Sequence, residues 1–207
     1  MPKMSKKSKA REYIETFVIA LLVALFVRTF VVQAFKIPSG SMEPTLLVGD
    51  HILVNKFIYG IRIPIIGKRL FTLKKPHRGD VIVFIYPRDR SKDFIKRVIG
   101  LGGEKVEIRG HKIYINDRLL EDPWGVYSND PFWSLPSKEN FGPVIVPPES
   151  LFVLGDNRDN SQDSRYWGFV PLKDVLGKAF IIYWSWDWRA PSLLYKVRWK
   201  RIGHFIH

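Results

Sequence analysis

Two serines lie in a short segment whose other residues restrict the backbone. Ser39 and Ser41 occupy the run Pro-Ser-Gly-Ser-Met-Glu-Pro at 38–44. Proline and glycine keep such a run out of regular helix and strand. A small hydroxyl held rigidly here, with its oxygen exposed, meets a basic requirement of a nucleophile. The same residue types also make ordinary turns, so this segment alone leaves both interpretations open.

A serine nucleophile needs a general base, because its hydroxyl is a poor nucleophile at neutral pH. A lysine whose pKa is lowered by burial can take this role where no histidine is suitably placed. Lys96 is the best candidate, since in a strand it would share one face with Phe94 and Val98. The alternative is that Lys96 faces solvent and has no catalytic role, as is usual for a lysine in a strand. The histidines stand in no motif-like context: His51, His77, His111, His204 and His207.

A third segment, at 155–168, reads Gly-Asp-Asn-Arg-Asp-Asn-Ser-Gln-Asp-Ser-Arg-Tyr-Trp-Gly and follows the apolar run 151–154. Its polarity predicts a loop, and Asp, Asn and Ser side chains can stiffen a loop by bonding its backbone. Arginines placed among aspartates indicate ion pairs. A calcium site is not indicated, because the acidic spacing and the terminal Glu of an EF-hand are missing.

Taken in this order along the chain, the three segments resemble the sequence boxes of bacterial type I signal peptidases. The run 38–45 resembles their nucleophile box, 96–104 their lysine box and 155–168 their most distinctive box. The lysine box departs from its commonest form at Gly102, which is usually Pro, and at Glu104, which is usually Asp. The resemblance covers 37–50, 78–104 and 155–171, with a compatible Arg-Ile-Gly at 201–203.

This resemblance implies a role for each of four polar residues. Ser41 would be the nucleophile and Lys96 the general base. Ser161 would hydrogen-bond the lysine amine and orient it. The backbone N–H of Ser41 and the hydroxyl of Ser39 would form the oxyanion hole, in which donors meet the developing negative charge.

The resemblance also implies a supporting shell, a substrate class and surroundings. Asp163 and Arg165 would brace the site from behind as an ion pair, and Met42 would help to line small pockets for the residues before the cut. Family substrates carry small side chains there, typically Ala. The implied partners are preproteins with signal peptides and membrane lipid, with the enzyme placed near the export translocon.

Composition narrows the remaining classes of partner. The formal net charge is +13, from 33 Lys and Arg against 20 Asp and Glu. Such an excess suits nucleic acid, an anionic membrane or acidic substrates. No nucleic-acid-binding motif accompanies the charge, so no nucleic acid partner is expected. The chain has no Cys and no His-Glu-x-x-His spacing, and we expect neither a metal nor another cofactor.

An apolar segment at 12–35 follows a basic start, residues 1–11, which holds Lys and Arg but no acid. Counted from 13 to 35, the segment reaches about 20 residues, enough to cross a bilayer as a helix. A cleaved signal peptide is the alternative, but no convincing small-x-small cleavage site ends the segment. We therefore predict a retained single-pass anchor in the cytoplasmic (inner) membrane. Its N-terminus would be cytoplasmic and the rest of the chain periplasmic or extracellular.

Most of the remaining chain is typical of β structure. β-branched and aromatic residues predict strands at 51–59, 80–86, 105–108, 112–115, 151–154 and 178–184. Arg109-Gly110-His111 would be a hairpin turn. The predicted fold class is mainly β: a single transmembrane helix, then an antiparallel signal-peptidase-like catalytic domain at 36–104 and 151–207. Residues 105–150 would form a small inserted β subdomain, irregular in the part that contains Trp124 and Trp133.

Tryptophans are interspersed with basic residues toward the end of the sequence: Trp184, Trp186, Trp188 and Trp199. Tryptophan beside Arg or Lys suits the interface between a membrane and water. An aromatic strand followed by a solvated basic tail fits equally well, and both interpretations stay open.

The function predicted from these observations is a membrane-anchored Ser/Lys endopeptidase that removes signal peptides at the outer face of the cytoplasmic membrane. Two alternatives remain. A self-cleaving peptidase of the repressor type would share the chemistry but would be soluble and carry a DNA-binding domain. A non-catalytic anchored β-domain that binds cell-envelope components would leave the three polar segments as coincidence.

Overall fold

The computed structural model describes residues 9–60, 73–127 and 139–207. Within these ranges the strands form two antiparallel sheets. Beyond α1 (Lys9–Phe26), the α-helices described are single turns, α2 (Ser164–Trp167) and α3 (Leu193–Lys196). The strands are β1 (Val32–Lys36), β2 (Asp50–Asn55), β3 (Val81–Ile85), β4 (Asp93–Leu101), β5 (Lys105–Arg109), β6 (Lys112–Ile115), β7 (Arg118–Leu119), β8 (Phe141–Ile145), β9 (Ser150–Leu154), β10 (Val170–Pro171) and β11 (Val175–Ser185).

The larger sheet has seven strands in the order β1-β2-β11-β3-β4-β9-β10. Its central strand β3, Val-Ile-Val-Phe-Ile, is apolar throughout because both of its faces are covered. β2 alternates buried and partly exposed residues, as expected for a strand with one covered face. In β4, Lys96 lies directly opposite Ile82 of β3. The candidate lysine is therefore built into the interior of the sheet.

The smaller sheet has four strands in the order β7-β6-β5-β8. The hairpin between β5 and β6 turns at Gly110 and His111, whose φ angles of 51° and 67° are both left-handed. Two left-handed residues make the tight turn that matches the twist of paired strands. The predicted hairpin at this position is confirmed.

The two sheets share apolar contacts. Ile99 and Phe152 of the larger sheet are buried in one cluster with Val106 and Ile113 of the smaller sheet. The described part of the interval 105–150 is therefore packed onto the larger sheet through common core residues.

The apolar segment predicted as a membrane anchor at 12–35 divides into three parts. α1 ends at Phe26, and a π-helical turn covers Val27–Val31. Residues 32–35 do not continue the helix, because β1 pairs with β2 and places Phe35 opposite Ile52. Among the described residues, no helix combines the length and the apolar character needed to span a bilayer. Residues 1–8 of the basic start lie outside the described ranges.

The strands predicted from β-branched and aromatic residues are confirmed, although the first ends at Asn55 and is followed by a 3-10 turn at Phe57–Tyr59. β4 was considered only as a condition for the role of Lys96, and four other strands were not predicted. β7 and β10 are only two residues long, β1 lies inside the apolar segment, and β8 contains Gly142 and Pro143. Glycine and proline ordinarily mark a turn. Trp133, part of the predicted irregular region, lies outside the described residues.

Candidate active site

Ser41 and Lys96 are in direct contact. Lys96 Nζ lies 2.7 Å from Ser41 Oγ and 3.0 Å from the carbonyl oxygen of Ile95. Ser41 is 9% exposed and Lys96 4% exposed. The serine belongs to a 3-10 turn at Gly40–Met42, and the lysine lies in the middle of β4. The sheet therefore brings together two segments that the sequence separates widely.

The burial of Lys96 makes its neutral form easier to reach than in a solvent-exposed lysine. Burial lowers the pKa of Lys96 to about 8 from 10.5, because an ammonium group is poorly solvated in the protein interior. The carboxylates of Asp163 and Asp156 oppose this shift, since negative charge stabilises the ammonium form. The amine can consequently lose its proton near neutral pH and accept one from a neighbouring hydroxyl.

A cavity of about 390 Å³ opens over this pair. Its walls come from three separate parts of the chain: the turn that carries Ser41, strand β4 and the loop 155–163. Ser39, predicted as an oxyanion donor, lines it. The lining residues are Ser39, Gly40, Ser41, Phe94, Lys96, Asn160 and Gln162. A peptide in this cavity would lie against both the serine and the lysine.

The loop after β9 packs directly against the backbone of the serine turn. Asn157 N–H donates to the carbonyl of Ser41 at 3.2 Å, and Asn157 Nδ2 donates to the carbonyl of Gly40 at 3.2 Å. A Cβ at Gly155 would stand 2.4 Å from the Ser41 carbonyl oxygen and 2.3 Å from Ser161 Oγ. Only glycine allows this close approach.

The ion pair between Asp163 and Arg165 fixes the end of the same loop. Arg165 Nε lies 2.8 Å from Asp163 Oδ1, and Arg165 Nη2 lies 2.9 Å from Asp163 Oδ2. Asp163 also accepts from the backbone N–H of Arg165 at the start of α2, and from that of Gly155. Asp163 therefore holds the two ends of the loop together, because it bonds Gly155 at one end and forms a buried bidentate pair with Arg165 at the other.

A second buried pair lies immediately beside Lys96. Arg97 Nε and Nη2 donate to the two carboxylate oxygens of Asp156 at 2.8 and 2.7 Å. Thr45 Oγ1 donates to Asp156 Oδ2 at 2.6 Å. This network connects the lysine strand, the loop after β9 and the segment that follows the serine.

Two residues predicted for the site differ from expectation. Within the described part of the chain, Ser161 Oγ is buried but has no hydrogen-bond partner, so the expected bond to the Lys96 amine is not made. That amine donates instead to Ser41 and to the Ile95 carbonyl. Met42 does not line the cavity, because its side chain is buried in the core beneath the turn with Ile37 and Leu46.

The described part of the interval 105–150 packs against Arg97 and the loop after β9. The indole of Trp124 lies over the Arg97 guanidinium, 4.8 Å from ring centroid to Cζ. Val126 exchanges backbone hydrogen bonds with Asp156 and Arg158, and Asp122 forms a nearly buried ion pair with Arg158. These contacts were not predicted, since the sequence does not show where an irregular segment docks.

Three side chains that line the cavity, in addition to the backbone of Gly40, were not among the predicted site residues, although a signal was present. Phe94 stands two positions before Lys96 on the same face of β4, and Asn160 and Gln162 flank Ser161. Side chains two apart in a strand point the same way. No group of three or more potential metal ligands occurs among the residues that the structure describes.

Comparison with known proteins identifies the family. The family model described as "Signal peptidase, peptidase S26" matches residues 10–184, and the chain belongs to this family. The signal peptidase I of Pseudomonas fluorescens is 39% identical over 232 residues, covering 97% of this chain and 81% of that protein. The signal peptidase I of Aquifex aeolicus is 37% identical over 236 residues, covering 88% of this chain and 86% of that protein.

A crystal structure of a signal peptidase I from Enterococcus faecalis is also similar, at 38% sequence identity. It covers 51% of this chain and 97% of that chain with a TM-score of 0.41, which is too low to bear on the fold.

Family membership makes this chain a serine peptidase, and hence a hydrolase, of the signal peptidase I type. The resemblance found in the three sequence segments is thereby confirmed. Neither the self-cleaving repressor-type peptidase nor the non-catalytic binding domain is favoured by these relatives.

Proposed function

We propose that this chain is a membrane-anchored endopeptidase that removes signal peptides from exported preproteins, with Ser41 as nucleophile and Lys96 as general base. The 2.7 Å contact between Lys96 Nζ and Ser41 Oγ is the observation that carries the proposal. It is supported by the lowered pKa of Lys96, about 8, since a base must be neutral before it can accept a proton.

The first half of the reaction forms an acyl-enzyme. Ser41 Oγ attacks the carbonyl carbon of the scissile bond while its proton passes to the neutral amine of Lys96. The tetrahedral intermediate then collapses, the C–N bond breaks, and the lysine ammonium gives its proton to the leaving amine. In the second half, Lys96 takes a proton from water, the resulting hydroxide equivalent attacks the ester, and Ser41 regains its proton.

Two further serines assist this chemistry in the proposal. The hydroxyl of Ser39, which lines the cavity, and the backbone N–H of Ser41 donate to the developing oxyanion. Ser161 Oγ, which has no partner among the described residues, accepts an N–H of the Lys96 amine once Ser41 has become acylated. Asp163 and Arg165 keep the loop that carries Ser161 in place.

The proposed substrates follow from the family and the cavity. Relatives named signal peptidase I indicate preproteins with signal peptides as the substrate class. Phe94 and Gly40 line the cavity beside Ser41, where the residues before the cut are proposed to bind with their small side chains. Met42 supports these walls from the core beneath and does not contact the peptide directly.

Membrane attachment is proposed to depend on the α1 region. Tyr13, Phe17 and Leu22 are exposed, and α1 buries no residue against the described protein. Helix from Tyr13 to Val31 would be about 28 Å long, close to the roughly 30 Å of a hydrocarbon core. With residues 1–11 in the cytoplasm, the catalytic sheet would lie on the outer side, near lipid and the export translocon. Exposed Trp188 and Trp199 offer further contact with lipid.

The test of the chemistry is cleavage of a purified preprotein by the full chain in detergent. Wild type should cut after a small-x-small sequence, whereas Ser41→Ala and Lys96→Met should lose at least about a thousandfold in rate. Lys92→Met is the matched control, because Lys92 is an exposed lysine just before the same strand. Circular dichroism should show all four proteins folded.

Two results would overturn the proposed chemistry. If Lys96→Met remains folded and cuts at the rate of Lys92→Met, lysine is not the base. If wild type is inert on several preproteins with different signal peptides, the substrate class is wrong.

The test of attachment is alkaline extraction of membranes that contain the full chain. Wild type should stay in the membrane pellet, whereas replacing Leu21 and Leu22 with Glu should release it. Protease added to the outer side should digest the sheets but spare residues 1–11. Release of wild type, or digestion only from the cytoplasmic side, would refute the proposed topology.

A further inference from the structure

The segment that carries Ser41 is closed on itself at its two ends. Ile37 N–H donates to the carbonyl of Asp50 at 2.8 Å, and Gly49 N–H donates to the carbonyl of Ile37 at 3.0 Å. We call residues 37–50 the nucleophile loop. Its position determines where Ser41 Oγ lies relative to Lys96, so the contacts that hold this loop are candidates for a role in catalysis.

A fully buried carboxylate organises one side of the nucleophile loop. Asp50 accepts the backbone N–H of Leu47 at 2.8 Å and the hydroxyl of Ser185 at 2.6 Å. Arg201 Nη2 donates to Asp50 Oδ2 at 2.6 Å, and Arg201 Nε lies 3.1 Å from Asp50 Oδ1. Arg201 Nη2 also donates to the carbonyl of Thr45 at 2.9 Å. One guanidinium thus joins the middle of the loop to its end.

The opposite side of the loop is held by the site already described. Asn157 bonds the carbonyl of Ser41, and Asp156 bonds the hydroxyl of Thr45. Thr45 is therefore bonded through its side chain to Asp156 and through its backbone to Arg201. Thr45 stands four residues after Ser41, so the bonds to Asp156 and Arg201 hold the loop from two sides close to the serine, and loss of Arg201 removes one of these two attachments.

Arg201 can act as a rigid support because its own segment is tied to the sheet. Gly203 N–H donates to the carbonyl of Ile182 at 2.8 Å, and Ile206 N–H donates to that of Phe180 at 3.0 Å. Ile206 is buried in the same core as Met42. The family model ends at residue 184, so this support comes from a part of the chain beyond the match.

We propose that Arg201 is a positioning residue of the peptidase: by bridging Asp50 and the Thr45 carbonyl, it holds the nucleophile loop so that Ser41 meets Lys96. The inference rests on the proposed roles of Ser41 and Lys96. Arg201 touches neither the cavity nor the reacting atoms. Its removal should therefore impair the chemical step more than the binding of substrate.

The expected effects of substitution follow from these contacts. Arg201→Met should lower kcat at least about tenfold with KM nearly unchanged, because even a displacement of 1 Å at a nucleophile is costly. Arg201→Lys keeps the charge but cannot bond Asp50 and Thr45 with a planar fork, so its kcat should fall between those of wild type and Arg201→Met. Asp50→Asn should show a similar loss, and the double variant with Arg201→Met should lose little more.

The experiment measures kcat and KM of the full chain in detergent. The substrate is a short peptide that has Ala immediately before the cleaved bond and a second Ala two residues earlier. Lys200→Met is the matched control, since Lys200 is the exposed neighbour of Arg201. Circular dichroism and thermal melting give the folded fraction of each protein. The pH profile of kcat/KM should keep its midpoint in Arg201→Met, because the pKa of Lys96 is set by burial and by the carboxylates of Asp163 and Asp156, neither of which Arg201 contacts.

Each outcome decides the proposal. A lower kcat per folded molecule, an unchanged KM and an intermediate Arg201→Lys support it. Activity that falls only with the folded fraction overturns it and leaves Arg201 a structural role. If Arg201→Met does not fold, a folded Arg201→Lys with wild-type kcat overturns it equally. Failure of the proposed function itself is recognised separately, because wild type would then be inert or Ser41→Ala would cut.

Discussion

Charged side chains are buried in the seven-stranded sheet and its loops, whereas the described strands of the four-stranded sheet bury only apolar ones. Around the site, Lys96, Arg97, Asp156 and Asp163 are all buried. In the smaller sheet the buried residues are Val106, Ile108, Ile113 and Ile115, and its charged groups, such as Arg109, stay near solvent. Burying a charge is costly unless it is paired, so an apolar core is the less demanding way to hold a sheet. The difference indicates that the larger sheet holds the charged groups of the site in place, whereas the smaller sheet is stabilised by apolar packing.

Apart from Ser41 and Lys96 themselves, the largest effect on activity is expected at Gly155. An alanine there would place a methyl group 2.4 Å from the Ser41 carbonyl oxygen. Either the serine turn or the loop after β9 must move, and we expect a loss of about a hundredfold or more in kcat/KM. Cleavage of a short peptide measures this loss. Gly103→Ala is the control for glycine replacement, because no atom lies within 4 Å of a Cβ there, although its φ of 88° makes some strain inevitable. Equal kcat/KM values for Gly155→Ala and Gly103→Ala would contradict the conclusion that only glycine fits at position 155.

The next effect concerns the buried pair beside the lysine. Asp156→Ala leaves the Arg97 guanidinium buried without its carboxylate and Thr45 Oγ1 without its acceptor. Removing one partner of a buried pair destabilises a protein by about 3–5 kcal/mol. Denaturant unfolding at pH 7 measures the change. A destabilisation below about 1 kcal/mol would mean that the charge pair does not hold the site together.

Activity should also depend on pH through Lys96. Its pKa is lowered to about 8, and only the neutral amine can accept the proton of Ser41. Below pH 8 the neutral fraction falls about tenfold for each pH unit, so kcat/KM should rise with pH and level off above about 8. A pH–rate profile on a peptide without titratable groups measures this. A flat profile between pH 6 and pH 9 would rule out a lysine base with this pKa.

In the smaller sheet a core substitution should affect stability alone. Ile113→Ala removes buried methyl groups from the cluster shared with Phe152 and should cost about 2–5 kcal/mol. The kcat of the folded fraction should stay at the wild-type value, because the apolar cluster of Ile113 contains none of the described residues that line the cavity. Thermal unfolding and peptide cleavage on the same sample separate the two quantities. A selective loss of kcat would show that this sheet also positions the site.

The smallest effect is expected for a surface pair of the smaller sheet. In β5, Arg109 Nη2 lies 2.5 Å from Glu107 Oε2, and this ion pair is accessible to solvent. Screening by water and salt leaves such pairs with little influence on stability. Glu107→Gln should therefore leave both the melting temperature and kcat indistinguishable from wild type. A clear change in either would remove the contrast between the two sheets.

The strands were accessible from residue order because each depends on local pattern, whereas the roles of the catalytic candidates came from the resemblance of three segments to a known family. β3 is a continuous apolar run, and the hairpin at Gly110 follows from a turn residue between alternating segments. Lys96 was found because a strand places Phe94 and Val98 beside it. The boundaries of helices and strands were less accessible from the sequence. β1 reads as apolar helix until β2 supplies the backbone partners that make it a strand.

Long-range pairing was decided by the tertiary structure. Nothing in the order of residues joins Asp50 to Arg201 or Asp122 to Arg158, because the energy of an ion pair depends on distance and burial, which only the folded chain supplies. The same holds for the pKa of Lys96, which is lowered by its place inside the sheet. Residue types and spacing indicated which chemistry was available. The packing of the two sheets, the nucleophile loop and the loop after β9 determined which groups meet to perform it.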